Sequence, residues 1–176
     1  SIIMSTLSTG RARKLGDDID TDTIIQSQRK RETLDPLVLR NFLLESWDPN
    51  FAATVRDGDI LVAGKNFGCG SAMEVAVTVV LGASIRAVVA KSFARTYFRN
   101  AINNSLLPVI CDTDAISDGA DIEVAASTNG LVVIAGGNEI PASPLPDAVR
   151  AIVDAGGLVP YLKHHGDFQT LPHPAT

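Results

Sequence analysis

The chain has 176 residues, 45% of them hydrophobic and 20% charged, with a formal net charge of -5. That length supports one domain with its own hydrophobic core, and an acidic balance with no long basic stripe argues against a nucleic-acid surface. No run of about 18 apolar residues could span a bilayer, and Ser1-Ile2-Ile3-Met4 lacks the basic segment and apolar core of a signal peptide, so a cytoplasmic protein that binds no membrane is expected.

After a polar start, Asp17, Asp18, Asp20 and Asp22 place four aspartates in six positions ahead of Ile24-Ile25. A divalent-metal loop can be drawn here, but the spacing lacks the glycine and distal glutamate of a calcium-binding hand. Turn or helix-cap work is the expected role. From Thr33 to Phe51, helical material around Leu37-Val38-Leu39 and Phe42-Leu43-Leu44 is closed by Trp47-Asp48-Pro49-Asn50, forming a lid or connecting helix whose Trp packs. Ile60-Leu61-Val62-Ala63 then reads as a short apolar strand leading into a glycine turn and a helix over 72–81. Ala87-Val88-Val89-Ala90 is a second strand, 93–103 a second helix and Leu107-Pro108-Val109-Ile110 a third strand. Strands alternating with helices predict parallel βαβ units, in which ligands gather beyond the carboxyl ends of the strands.

The last third reads differently. Ile122-Glu123-Val124 and Leu131-Val132-Val133-Ile134, separated by Ser127-Thr128-Asn129-Gly130, carry a hairpin signature. A final helix over 144–155 is stopped by Gly156-Gly157, and a mobile tail is expected over 166–176. His164, His165 and His173 are expected to be solvated or to pack rather than to catalyse. There is no internal repeat, and 1–176 is expected to form a single domain.

The glycine turn is the most informative segment. In Asn66-Phe67-Gly68-Cys69-Gly70-Ser71-Ala72-Met73, Gly68 and Gly70 can take backbone angles that residues with a Cβ resist, so that amide groups around Ser71 converge on a ligand oxygen. A helix starting at Ala72 would add its dipole and free N–H groups at the same spot. The competing assignment for Ser71-Ala72-Met73-Glu74 is a capping box, with the serine oxygen and the Glu74 carboxylate serving each other's amides. Cys69 has no His or Asp beside it in sequence to make it a nucleophile, and packing is the better assignment. With Cys69 and Cys111 as the only cysteines, in no CxxC or His-rich setting, a disulfide framework or zinc site is not expected. The chain also cannot supply the three or four thiolates of an iron-sulfur cluster.

The wider frame adds Gly64-Lys65 before the turn, Glu74 after it, then Ala90-Lys91-Ser92-Phe93-Ala94-Arg95 and Arg99-Asn100-Ala101-Ile102-Asn103-Asn104, with Gly16-Asp17-Asp18-Ile19-Asp20-Thr21-Asp22-Thr23-Ile24-Ile25 near the start. These motifs, from about Gly16 to Pro108, closely resemble the small subunits of isopropylmalate isomerase, a branch of the aconitase family that serves leucine biosynthesis. The resemblance implies an α/β fold, the aconitase-type swivelling β/β/α domain with a parallel βαβ core and a small barrel-like sheet. It also implies a hydro-lyase that dehydrates and rehydrates a 2-hydroxy di- or tricarboxylic acid. A large partner subunit would carry a 4Fe–4S cluster as Lewis acid, and this chain would bind no cofactor itself. By the same resemblance Ser71 is the base, an alkoxide held by helix-end amides, and Gly68, Cys69, Gly70, Ala72 and Met73 line the substrate.

The sequence departs from the family pattern at informative places. The family's second serine is Ala72, its carboxylate-binding arginine is Met73, and the histidine after the glutamate is Val75. A lost bidentate arginine costs a charge-assisted contact that a neutral group does not reproduce. After the paired isoleucines, where the isomerases carry an apolar patch, this chain has Gln26-Ser27-Gln28-Arg29-Lys30-Arg31-Glu32. In related homoaconitases a basic residue of this loop meets an extra substrate carboxylate, so Arg29, Lys30 and Arg31 are expected to bind a multiply charged substrate; the bland alternative is a solvated charge run. Arg95 and Arg99 can share a helix face, where helix-to-sheet support is expected ahead of partner contact. The family glycine after the paired asparagines is Ser105, which shifts a left-handed helix end onto Asn104 or Ser105. Joint loss of the counterparts at 72, 73 and 75 keeps a second reading open: a non-catalytic paralogue that binds or assembles with such a large subunit. A free-standing phosphate-binding domain built on the glycine turn is a distant third.

Overall fold

The computed structural model describes residues 2–144 and Asp147. The helix expected over 144–155, Asp147 and Pro144 aside, and the three histidines of the tail lie outside the described residues. Seven strands form one mixed sheet in the order β4-β3-β2-β1-β5-β6-β7. They are β1 (Ile3–Lys14), β2 (Ile60–Ala63), β3 (Ala87–Ala90), β4 (Leu107–Ile110), β5 (Asp121–Ser127), β6 (Gly130–Ala135) and β7 (Asn138–Pro141).

Strands β2, β3 and β4 run parallel, in register Leu61 to Val88 and Val89 to Val109. They are joined by α5 (Val75–Gly82) and α6 (Arg95–Asn103), and all three strands lie where the sequence places them. Both faces of these strands are covered, which is why they read as unbroken apolar runs rather than as alternating ones. Leu61, Ala63, Val88 and Ala90 pack on the helical side with Val77, Val80 and Tyr97. Their neighbours Ile60, Val62, Ala87 and Val89 turn the other way and join Leu107, Val109, Ile122, Val124, Leu131 and Val133. Each such side chain taken out of water contributes about 1.5–3 kcal/mol, so two apolar layers back to back hold the strands from both sides.

The polar start is in fact the longest strand. Only Leu7 and Ala12 are buried along β1, so no apolar alternation announces it. Its first part pairs antiparallel with β5, through two register shifts, and its last three residues, Ala12 to Lys14, pair parallel with β2. β1 is therefore the seam between the parallel and antiparallel halves. At Gly10 a Cβ would run into the Gly58 carbonyl oxygen, which explains a glycine at the point where the strand switches partner. The antiparallel half continues through the expected hairpin, closed between Ser127 and Gly130, to β7, which was not anticipated. The two edges of the sheet then meet: Cys111 bridges Ala142 antiparallel, and the Ser143 N–H donates to the Ile110 carbonyl at 2.8 Å. That closure gives the barrel-like sheet its interior.

The region expected as one lid or connecting helix over 33–51 is instead broken into short pieces. α3 (Pro36–Leu39) runs into a 3-10 turn (Arg40–Phe42), then turns lead to α4 (Phe51–Thr54). Leu39, Leu43 and Leu44 are fully buried against α5, so apolar residues are spent on anchoring turns rather than on one helical face. Trp47 is half exposed and lies over Gly16. The end of α6 falls on Ser105 at φ 67°, the left-handed residue that replaces the family glycine, and Asn104 stays at φ -104°. No helix among the described residues is long and apolar enough to cross a membrane.

Candidate functional site

The glycine turn leaves the carboxyl end of β2 and is pinned from below by the segment 17–22. Asp17 Oδ1 accepts the Lys65 N–H at 2.7 Å, and the Asn66 side-chain amide donates to Asp18 Oδ1 at 3.1 Å. The Asp18 N–H donates to the Lys65 carbonyl, the Gly68 N–H to the Ile19 carbonyl and the Thr21 N–H to the Cys69 carbonyl, all at 2.7–2.8 Å. Buried Thr21 completes the ladder by donating its hydroxyl to the Ser71 carbonyl at 2.9 Å. The remaining two aspartates cap: Asp20 accepts the Thr23 N–H at 2.7 Å at the head of α1 (Thr21–Ile24). Asp22 accepts both the Ser27 N–H and hydroxyl at the head of α2 (Ser27–Glu32), and these bonds hold its carboxyl below the ordinary value. The turn-and-cap assignment of the four aspartates is thus what the structure contains. Among the described residues no group of three or more His, Cys, Asp or Glu could hold a metal ion.

Gly68 and Gly70 sit at φ 81° and 91°, as expected for the turn. Gly68 is required twice over, because a Cβ would also overlap the Tyr97 ring. That ring is buried, donates its hydroxyl to the Ala76 carbonyl at 2.9 Å and meets Phe67 edge-on at 5.2 Å, so it cannot retreat. The floor of the turn is rigid aromatic packing.

Above that floor the expectation for the helix start needs correction. α5 begins at Val75, not Ala72, and Glu74 stands at its N-cap with no side-chain cap bond. Ser71 is therefore not in a capping box. Its residue is exposed, and among the described residues its hydroxyl has no hydrogen-bond partner. The physical reason is that the Thr21 to Ser71 bond, the Asp20–Cys69 bridge and the left-handed Gly68 and Gly70 tie 69–71 to segment 20–21 outside the helix, and helical angles are in place at Glu74. The consequence favours chemistry. Among the described residues none of the backbone N–H groups from Gly70 to Val75 donates to a protein acceptor, which leaves a row of donors around one free hydroxyl, the arrangement that holds an oxyanion. Cys69 is half-buried, and burial and then the Asp20 and Asp18 charges push its thiol up, so it is no activated nucleophile.

The three cations also need correction. They lie on a short helix, α2, rather than in a loop, and they are not equivalent. Arg29 grips Glu45 with two hydrogen bonds, at 2.9 and 3.2 Å, and stacks over the Phe42 ring at 3.9 Å. The bond to Glu45 raises its already high pKa. Lys30 turns the other way and donates to Met73 Sδ at 3.0 Å. Burial pushes its ammonium down while Asp22 pulls it up, with a net lowering. Arg31 is exposed and has no charged partner among the described residues. The structure thus brings Lys30 to the turn and keeps Arg29 away from it. Ala72 is exposed beside Ser71 and Met73 is half-buried between the turn and Lys30.

Glu45, Phe42 and Thr21 matter to this site, and sequence reasoning missed their roles. Thr21 lay inside a quoted motif, which was a usable signal; Glu45 and Phe42 carried none, because only the folded chain sets them against Arg29. Arg95 and Arg99 are exposed, which corrects the expectation of helix-to-sheet support; the buried residues of that helix are Tyr97, Ala101 and Ile102.

Comparison with known proteins places this geometry. Residues 26–114 match the aconitase C-terminal domain. The chain is 46% identical over 154 residues to the methanogen homoaconitase small subunit of Methanocaldococcus jannaschii, covering 88% of this chain and 90% of that protein. It is 46% identical over 155 residues to the 3-isopropylmalate dehydratase small subunit of Methanosarcina acetivorans, covering 88% and 95%. A crystal structure of 3-isopropylmalate dehydratase (leuD) from Methanocaldococcus jannaschii superposes with a TM-score of 0.73 at 43% identity, covering 90% of this chain and 94% of that one. The barrel-like sheet and the parallel βαβ core are those of the aconitase-type swivel domain, and the chain belongs to the aconitase C-terminal domain family, among its isopropylmalate dehydratase and homoaconitase small subunits.

Proposed function

We propose that this chain, as a single swivel domain, is the small subunit of a two-subunit cytoplasmic hydro-lyase, that Ser71 is its base, and that its substrate is a 2-hydroxy di- or tricarboxylic acid. The observation that carries the reading is the exposed, unpartnered Ser71 hydroxyl beside a row of free N–H groups from Gly70 to Val75. A proton on carbon next to a carboxylate is weakly acidic. Its removal needs a base placed close to it and donors aimed at the charge that develops. The N–H row lowers the cost of a serine alkoxide. That alkoxide takes the proton from the carbon, the C–H electron pair becomes the carbon–carbon double bond, and hydroxide leaves the adjacent carbon; rehydration runs the steps backwards.

This chain does not fit an iron-sulfur cluster of its own. Cys111 is buried and its thiol pushed up to about 11, Cys69 is raised as well, and no ligand cluster occurs among the described residues. The proposal assigns the 4Fe–4S cluster to the large subunit, where it would supply the Lewis acid for hydroxide departure. The non-catalytic alternative rests on the losses at 72, 73 and 75. Against it stands Lys30, which brings a positive charge to the place the missing arginine would serve.

The test is to co-express the chain with its large subunit, restore the cluster anaerobically and assay a panel of 2-hydroxy acids. Turnover that falls about 10²- to 10⁴-fold in Ser71→Ala supports the reading. Tight assembly without turnover overturns it in favour of the binding-partner reading.

A further inference from the structure

The large apolar side chains exposed among the described residues fall in three places. Ile2, Ile3 and Met4 open β1, at the end of the sheet opposite to the glycine turn. Leu34, Leu37 and Val38 lie on or beside α3, whose Pro36 meets Gly82 at the end of α5 far from the turn. Trp47 is different. Its ring lies over Gly16, and the Gly16 carbonyl accepts the Gly64 N–H at 3.1 Å. That bond is the first rung of the ladder whose last rung is the Thr21 hydroxyl on the Ser71 carbonyl. From Gly16 to Thr21 the chain can span at most about 18 Å, so Trp47 and the free hydroxyl share one rim. The local backbone keeps the ring there. The Trp47 and Asp48 N–H groups both donate to the Leu44 carbonyl, at 3.0 and 2.9 Å, and fully buried Leu44 is held at φ 55°, a left-handed angle that a branched side chain resists. The strained turn sets Glu45 on Arg29 and leaves the Trp47 ring 47% exposed. Asp17 and Asp18, next along the ladder, are exposed as well, so this part of the rim is negative.

We propose that Trp47 anchors the contact with the large subunit, its exposed ring entering an apolar pocket rimmed by cations on that subunit. The proposal rests on the hydro-lyase reading: a base on this chain and a cluster on the other can serve one substrate only when the large subunit covers the rim that carries Ser71. An interface of about 800 Å² on each partner is roughly 30 Å across, so a surface laid over Ser71 extends past the distance to Trp47. A tryptophan contributes much buried area for few rotatable bonds. This ring already rests on Gly16, so docking orders little that is not ordered in the free chain. Asp17 and Asp18 beside it select a positive rim on the partner.

The experiment measures assembly of the co-expressed pair by sedimentation over a dilution series. Trp47→Ala should raise the Kd of the two subunits about 10- to 100-fold, Trp47→Phe should raise it less, and Val38→Ala, which removes an exposed apolar group at the far end, should leave it unchanged. The chain has a single tryptophan, which gives a readout that needs no substitution. With 5-fluorotryptophan in this chain and an unlabelled large subunit, the fluorine resonance should shift on assembly and lose its difference between H2O and D2O. Equal Kd values for Trp47→Ala and Val38→Ala, a fluorine resonance that assembly does not move, or a wild-type pair that does not assemble would each overturn the proposal. A wild-type pair that assembles but turns over no 2-hydroxy acid removes the hydro-lyase reading alone, and Trp47 is then judged from the same Kd and fluorine measurements, since neither requires turnover.

Discussion

The parallel half of the sheet and the antiparallel half are built on different terms. In the parallel half, four-residue strands are buried on both faces and end in a turn whose backbone is locked by Gly68, Tyr97 and Thr21. In the antiparallel half, β1 buries two residues in twelve and the hairpin ends in turns open to solvent, where Gly130, Gly136 and Gly137 have nothing within 4 Å of an added Cβ. The lesson is that close packing underlies the candidate site and is absent from the hairpin turns. The free hydroxyl and donor row stand on the buried Phe67 and Tyr97 rings, and the open turns stand on the other side of the seam.

The largest effect is expected from Ser71→Ala, which should cost the assembled enzyme the 10²- to 10⁴-fold stated above while moving unfolding free energy by less than about 0.5 kcal/mol, since its hydroxyl holds nothing in the fold. Loss of stability in a urea titration would contradict a functional reading of that residue. Gly68→Ala should show the reverse balance of causes: a Cβ driven into the Tyr97 ring at a positive φ costs about 3 kcal/mol, and activity falls because the turn moves.

At the seam, Asp59 is buried and paired with Arg11 at 2.8 Å and Arg13 at 3.5 Å, and it also accepts the Arg56 N–H. Burial pushes its carboxyl upward, but the Arg11 bond, the Arg56 N–H and the two arginine charges hold it, on balance, below the ordinary value. A depressed carboxyl contributes stability that is present above its unfolded value of about 3.9 and is lost as pH falls through the lower folded value. The wild type should therefore lose stability on acidification below about pH 4. Asp59→Asn should cost about 2 kcal/mol at neutral pH, because two half-buried guanidinium groups lose their counter-charge, and should flatten the acid limb of a thermal-melt series. The smallest effect belongs to the open turns: Gly137→Ala should cost about 1 kcal/mol, from backbone strain alone, and leave KM and kcat unchanged.

Legibility followed the same divide. The strands Ile60–Ala63, Ala87–Ala90 and Leu107–Ile110 were readable because two-sided burial writes itself as a run of apolar residues. The Ser127 to Gly130 hairpin was readable because its turn chemistry is local. β1 was not, because its Ser, Thr and Arg residues are held by neighbours more than a hundred positions away. The start of α5 was misplaced for a related reason: Ser71-x-x-Glu74 is a sound local cap signal, but a bond from Thr21, fifty residues upstream, holds Ser71 outside the helix.

Residue type and order alone were enough for the apolar parallel core, the left-handed turn at Gly68, the turn and cap work of the four aspartates and the family. All of these depend on residue type and short spacing. Only the tertiary structure decided which of three consecutive cations faces the turn, that Ser71 is free rather than capping, and that the sheet closes edge to edge at Cys111 and Ala142. Those outcomes depend on contacts between distant segments, whose energies local sequence does not encode.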